Sequence, residues 1–320
     1  MTLRIYFAPM EGITGYRYRN LHHRYFPGVD KYFMPFLSPS QGHAFTRRER
    51  EDILPEHNQG MNVVPQLLTR RSEDFLWAAG ELAAMGYGEV NLNLGCPSGT
   101  VTAKGKGAGF LGRPEELERF LDEIFAGTPV PVSVKTRLGV NDPEEFGPLL
   151  ELFNRYPIAE LTIHPRVRRD FYRGAVRLNY FADAVAQSRN PVCYNGDLIS
   201  AEGCAALTQR FPTVVCLMLG RGLVADPALA GKAKGGTGAA PERLEAFLTE
   251  LYEDYACSFG SRRNAMLRMK EIWYFLIHLF RDGERYGKKL KKTADPGEYE
   301  ALVRGVFREL ELLDAPEGAW

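Results

Sequence analysis

The sequence predicts an α/β fold, a (β/α)8 TIM barrel, followed by an all-helical C-terminal domain. Three observations carry that expectation. Short apolar runs rich in β-branched and aromatic residues alternate with longer amphipathic stretches. Eight such runs precede a small-residue linker. Nearly every run ends on a chemically useful polar group, as the carboxyl ends of barrel strands do in enzymes of this architecture.

In chain order the strands are expected at Leu3–Ala8, Val29–Phe36, Asn62–Leu67, Glu89–Leu94, Val130–Thr136, Glu160–His164, Pro191–Tyr194 and Val214–Leu219. Between them, helices are expected at Tyr16–Tyr25, Ser72–Met85, Pro114–Phe125, Pro143–Tyr156, Leu178–Ser188, Ala201–Arg210 and Ala225–Lys234. Several open with a Pro or a Ser/Asp cap, as at Arg113-Pro114, Asp142-Pro143, Ser200 and Asp226-Pro227. The segment Ser38–Gln59 reads as a loop with at most a short helix. An open doubly wound sheet is the competing arrangement of the same elements. The stretch Lys234–Pro241 is linker-like, dividing a barrel domain (1–236) from a helical one (241–320). In the latter, helices are expected at Glu242–Ser258, Asn264–Phe280 and Glu298–Leu312.

Forty basic residues balance 40 acidic ones in 320, so any surface for a polyanion must be local. The five cysteines are odd in number and never form C-x-x-C, which points to reduced thiols rather than a disulfide framework or a zinc site. The N-terminal text lacks the pattern of a signal peptide, and no apolar run approaches ~18 residues. A soluble, cytoplasmic, monomeric protein with no membrane partner and no metal is expected.

The strand ends carry Pro9-Met10-Glu11-Gly12, Gln66, Asn93 with Cys96, Lys135 with Arg137, His164 with Arg166, Asn195-Gly196-Asp197 and Gly220-Arg221-Gly222. The last two segments occupy the places where many barrels hold a phosphate, and Arg221 can add a charged hydrogen bond; turn glycines are the plainer alternative. Lys135 closes an apolar strand with no carboxylate near it in sequence. Such a lysine balances an anion, such as a reduced flavin, or serves as a Schiff-base amine; an ordinary surface lysine is the plainer alternative. Cys96 starts a glycine-rich loop suited to a moving proton donor, whereas Cys193, Cys204 and Cys216 read as buried small hydrophobes. His164 is equally readable as a core histidine. Gly105-Lys106-Gly107-Ala108-Gly109 is no dinucleotide fingerprint.

Taken together, Ala8-Pro9-Met10-Glu11-Gly12, Gln66-Leu67, Asn91-Leu92-Asn93-Leu94-Gly95-Cys96-Pro97, Val134-Lys135-Thr136-Arg137-Leu138-Gly139, Ile163-His164-Pro165-Arg166, Asn195-Gly196-Asp197 and Gly220-Arg221-Gly222 resemble the tRNA-dihydrouridine synthase family. The resemblance runs from about Ile5 to Asp226. It implies FMN as cofactor and NADPH as reductant. Ala8, Pro9 and Met10 would approach the flavin by backbone, and Gln66, Lys135 and His164 would hydrogen-bond it. Asn195, Gly196, Asp197, Gly220 and Arg221 would hold its phosphate. Hydride would pass to C6 of a uracil in tRNA and Cys96 would protonate C5, with Asn93 and Arg166 orienting a base flipped from its stack. Arg262-Arg263, Arg268, Lys270 and Lys288-Lys289-Leu290-Lys291-Lys292 would grip phosphates, with Arg47-Arg48, Lys104 and Lys106 extending the surface. The competing reading is an FMN barrel acting on a small pyrimidine, of the dihydroorotate or dihydropyrimidine dehydrogenase type.

Overall fold

A computed structural model describes residues 2–39 and 42–318. The chain packs as two compact units. The first comprises the residues up to Pro9, Lys31–Gly196 and Phe211–Met218; the second comprises Met10–Asp30, Asp197–Arg210 and Leu219 onward.

The first unit is built on an all-parallel sheet. Its strands are β1 (Arg4–Phe7), β2 (Lys31–Phe33), β3 (Val63–Val64), β4 (Gln66–Leu67), β5 (Val90–Leu94), β6 (Val132–Arg137), β7 (Leu161–His164), β8 (Val192–Asn195) and β9 (Cys216–Leu219). They follow the order β3-β2-β1-β9-β8-β7-β6-β5-β4. The ends of that list are consecutive in the chain. β3 and β4 are one extended run broken only at Pro65, which has no N–H to donate, although its carbonyl still accepts from Asn91 N–H at 2.9 Å. Counting the run once leaves the eight expected strands, closed into a TIM barrel. Outward-facing Val90, Leu92, Val134, Leu161, Ile163 and Leu217 are fully buried. Each such side chain contributes about 1.5–3 kcal/mol relative to exposure.

The expected helices of this unit form, with one difference. The text after Asp142 begins as a capped 3-10 turn (Pro143–Glu145) before the helix Phe146–Phe153. The Ser38–Gln59 loop, whose residues 40 and 41 lie outside the described residues, holds a helix at Arg47–Ile53. A reciprocal Thr46–Glu49 capping box opens it. That Thr-x-x-Glu signal is present in the sequence.

In the second unit, Pro241–Phe259, Arg262–Leu276 and Pro296–Glu309 are the expected long helices. Phe26 meets Phe247 edge-on at 5.1 Å, and the Trp273 indole N–H donates to Tyr299 Oη at 3.0 Å. The helix expected over Ala225–Lys234 is confined to Leu229–Ala233, and a separate short helix, Arg221–Ala225, ends before Asp226-Pro227, where the proline breaks the backbone ladder. The basic run after Gly283 is itself a helix, Glu284–Lys292, that buries only Leu290. No described helix is long and apolar enough to cross a membrane.

Candidate active site

Strand alternation decides what faces the lumen of the first unit. Val64 and Gln66 are two residues apart and share the inner face, as do Cys193 and Asn195. Register extends that face around the barrel: Gln66 lies opposite Asn91, Asn91 opposite Ser133, Asn93 opposite Lys135, and Lys135 opposite Thr162. One side of the lumen is therefore an apolar cluster of Tyr6, Phe33, Val64, Cys193, Cys216 and Met218. The other is a wall of amides and hydroxyls.

Cys96 sits at the top of that wall, half-buried. Asn93 Oδ1 accepts from the backbone N–H groups of Gly95 (3.0 Å) and Cys96 (2.9 Å), while Asn93 Nδ2 donates to Gln66 Oε1 at 2.7 Å. Asn93 thus spends most of its hydrogen-bonding capacity on the Cys96 loop and Gln66. The glycine-rich text that follows folds as helical turns at Gly99–Thr102 and Gly107–Gly112, with Ala108 N–H donating to Cys96 O at 3.0 Å. Gly107 has φ +57°, and a Cβ there would lie 2.9 Å from Cys96 O. Only glycine suits that close approach.

Lys135 Nζ donates to Asn195 Oδ1 at 2.8 Å, and Asn195 Nδ2 donates to Met218 O at 2.8 Å. Among the described residues no carboxylate pairs with Lys135. Although part of its side chain reaches the surface, protein atoms crowd the ammonium. That burial, followed by the Arg137 charge, pushes its pKa down to about 8. An anion beside it would restore the charge.

Arg166 Nη1 lies 3.1 Å from His164 Nε2, and its Nε donates to Gly174 O at 3.2 Å. A guanidinium only donates, so His164 Nε2 must accept and a neutral ring carries its proton on Nδ1. Gly196 packs against the same ring, since a Cβ there would lie 3.5 Å from His164 Cδ2.

Two side chains with functional geometry had no role assigned to them from the sequence, although Arg137 stands among the polar strand ends. Arg137 is buried and bridges two loops, donating to Gly95 O (2.8 Å) and Val167 O (3.0 Å). Tyr172 is half exposed, with its ring 5.2 Å from the Arg137 guanidinium and 6.1 Å from the His164 ring. The signal for Arg137 was its place on the inner face two residues after Lys135. Tyr172 carried none.

Ala8 is buried and Pro9 half-buried at the end of β1. In the second unit, Met10 N–H donates to Thr14 Oγ1 at 2.9 Å, and Met10 O accepts from Ile13 and Thr14 N–H, both at 3.0 Å. Arg221 Nη2 donates to Asp197 Oδ1 at 2.6 Å. Asp197 takes a left-handed φ of +43°, and Gly220 precedes the short helix that begins at Arg221. Within the first unit, the donor chemistry of Lys135 and Asn195 fits an anionic group. Among the described residues no His/Cys/Asp/Glu group of three or more could hold a metal ion.

The tail's cations divide into two sets. Arg262 is held by Glu253 and Glu300 (both 2.8 Å), Arg268 by Glu271 (2.7 Å) and Lys270 by Thr293 O (2.7 Å), so these are structural. Lys288 is exposed on Glu284–Lys292, alongside Lys289, Lys291 and Lys292. That helix borders a cavity of about 620 Å³ also lined by Trp273 and Tyr274.

Comparison with known proteins tests the reading. The model of the dihydrouridine synthase family matches residues 6–307. A probable tRNA-dihydrouridine synthase 1 of Synechocystis sp. is 31% identical over 72% of this chain and 64% of its own length, so this match spans just under two thirds of that relative. A tRNA-dihydrouridine(16) synthase of Cupriavidus necator is 30% identical over 76% of the chain and 77% of its own length. A probable tRNA-dihydrouridine synthase of Rhodobacter capsulatus is 27% identical over 95% and 94%. Among solved structures, morphinone reductase superposes with a TM-score of 0.52 at 13% identity, covering 74% of this chain and 87% of its own, a likeness of fold. Since the family match runs through the barrel and most of the helical tail, and the Asn93–Cys96 and Lys135–Asn195 geometry accompanies it, the chain belongs to the dihydrouridine synthase family.

Proposed function

We propose that the protein is a cytoplasmic, FMN-dependent tRNA-dihydrouridine synthase that uses NADPH to reduce uridine in tRNA. The single observation that carries the reading is the pairing of Cys96, held through its backbone by Asn93, with the neighbouring carboxylate-free Lys135.

Ala8, Pro9, Met10, Gln66, Lys135 and His164 would hold the flavin, and Asn195, Gly196, Asp197, Gly220 and Arg221 its phosphate. Bound FMN, reduced by NADPH, supplies the hydride that C6 of uracil accepts. The chain's own residues do the rest. Lys135, as ammonium, balances negative charge in the lumen. Cys96 Sγ–H delivers a proton to C5, so that hydride and proton together saturate the double bond; solvent returns the proton to the thiolate. Asn93 orients Cys96 through two backbone N–H groups and directs its remaining amide N–H toward the base. Arg166, fixed on His164, contacts a uracil carbonyl, and the exposed face of Tyr172 stacks on the flipped ring. Residues 241–320 serve as the tRNA-binding domain, with the lysines of Glu284–Lys292 on phosphates. The monomer carries every residue this scheme uses.

The test is direct. Purified protein is expected to absorb as a flavin, to be bleached by NADPH, and to convert uridine to dihydrouridine in tRNA, read by mass spectrometry. A colourless protein indifferent to FMN would overturn the cofactor assignment. Reduction of free uracil but not of tRNA would favour the small-pyrimidine reading.

A further inference from the structure

The amide wall of the lumen is a single directed chain of hydrogen bonds. At its lower end Lys31 Nζ pairs with Glu89 Oε2 at 2.7 Å, and Ser133 Oγ donates to Glu89 Oε1 at 2.6 Å. Asn91 Nδ2 donates to Ser133 Oγ at 2.8 Å, and Gln66 Nε2 donates to Asn91 Oδ1 at 2.8 Å. Asn93 Nδ2 then donates to Gln66 Oε1 at 2.7 Å, and Asn93 Oδ1 receives Gly95 and Cys96 N–H. Gln66, Asn91, Asn93 and Ser133 are all buried.

Donor and acceptor capacities set the direction of this chain. The ion-paired Glu89 carboxylate only accepts. Ser133 has one proton, and having given it to Glu89 it can only accept from Asn91. Asn91 must then turn its oxygen to Gln66, Gln66 its oxygen to Asn93, and Asn93 its oxygen to the loop. The upper end demands the same polarity, because two backbone N–H groups only donate. Reversing any single amide would oppose donor to donor and acceptor to acceptor where water does not reach.

We propose that Glu89 is a positioning residue which, through Ser133, Asn91 and Gln66, fixes the direction of the Asn93 amide and so holds the Cys96 loop. Its catalytic meaning rests on the role given to Cys96 above; the positional claim does not.

Two substitutions at Asn91 separate this relay from plain packing. Asn91→Asp keeps an acceptor facing Gln66 and therefore keeps the polarity above it, at the cost of a second buried carboxyl near Glu89. Asn91→Leu fills the space but removes the directing oxygen. In the full-length protein, hydrogen exchange at the Gly95 and Cys96 amides, and the rate of Cys96 alkylation by iodoacetamide, are compared alongside melting temperature. The relay predicts that Asn91→Leu speeds exchange by about fivefold or more, the loss of one hydrogen bond. It predicts that Asn91→Asp leaves loop protection near wild type even though it melts lower. Glu89→Gln, which can donate as well as accept, should fall between them. If protection follows melting temperature across the three variants, or Asn91→Leu leaves both loop readouts unchanged, the relay is wrong. Neither readout needs tRNA or NADPH, so either result stands whatever the enzyme's product.

Discussion

Cys96 differs from the chain's buried thiols by setting rather than by chemistry. Burial pushes the Cys204 thiol up to about 12 and Cys216 up to about 11, which leaves them inert, while Cys96 is half-buried at the end of the polar wall. Cys96→Ala is expected to lower dihydrouridine formation by about 10²–10⁴, the usual worth of a positioned acid, with the flavin still reducible by NADPH. Stopped-flow bleaching and product mass spectrometry read the two halves; undiminished product removes Cys96 from its role. Tyr172→Ala is expected to cost about 1–3 kcal/mol of stacking, seen as a raised KM for tRNA, and an unchanged KM argues against a stacked base there. Lys135 makes a pH prediction. Its folded pKa of about 8 lies below the value for a free lysine, so between those two values the unfolded chain binds more protons and stability rises with pH. In flavin-free protein, the wild-type minus Lys135→Met difference in melting temperature should become more favourable to wild type from pH 8 to 10; a flat difference contradicts the depressed pKa. Lys135 was legible in sequence because nothing acidic stood near it. Arg137 was visible as a polar strand end but its bridging role was not, because its two carbonyl partners come from loops distant in the chain.

Elements were legible in proportion to how strongly burial patterns them. All eight strand runs were readable because their outer faces are largely apolar, with Thr136 an exception, whereas the Thr46–Glu49 box, though a local signal, went unread. Glu284–Lys292 was read only as a basic run, since a helix that buries one leucine leaves almost no apolar period. The short helix Arg221–Ala225 went unread because Gly220-Arg221-Gly222 looks like a turn and Asp226-Pro227 like the opening of the next helix. The lysine-rich helix also makes a prediction. Reversing Lys288, Lys289, Lys291 and Lys292 to Glu should weaken tRNA binding at low salt and flatten the slope of log affinity against log salt by roughly 0.7–0.9 per lost phosphate contact. Filter binding across a salt series measures it, and an unchanged slope assigns the RNA surface elsewhere.

For the molecule as a whole, a net charge of zero concealed an uneven distribution, because Arg262 and Arg268 are held by carboxylates at 2.7–2.8 Å while the exposed Lys288 meets only the equally exposed Glu284, at 3.7 Å. The wall of amides inside the barrel bears on how the chain finds its fold. Parallel strands held only by aliphatic contacts can slide past one another at little energetic loss, but a shift of one residue would turn Asn91 and Asn93 outward into the helix layer and bring Val90 and Leu92 into the lumen. The polar wall thus acts as a key for strand alignment: a barrel shifted by one residue would leave these amides without the partners that the native register gives them.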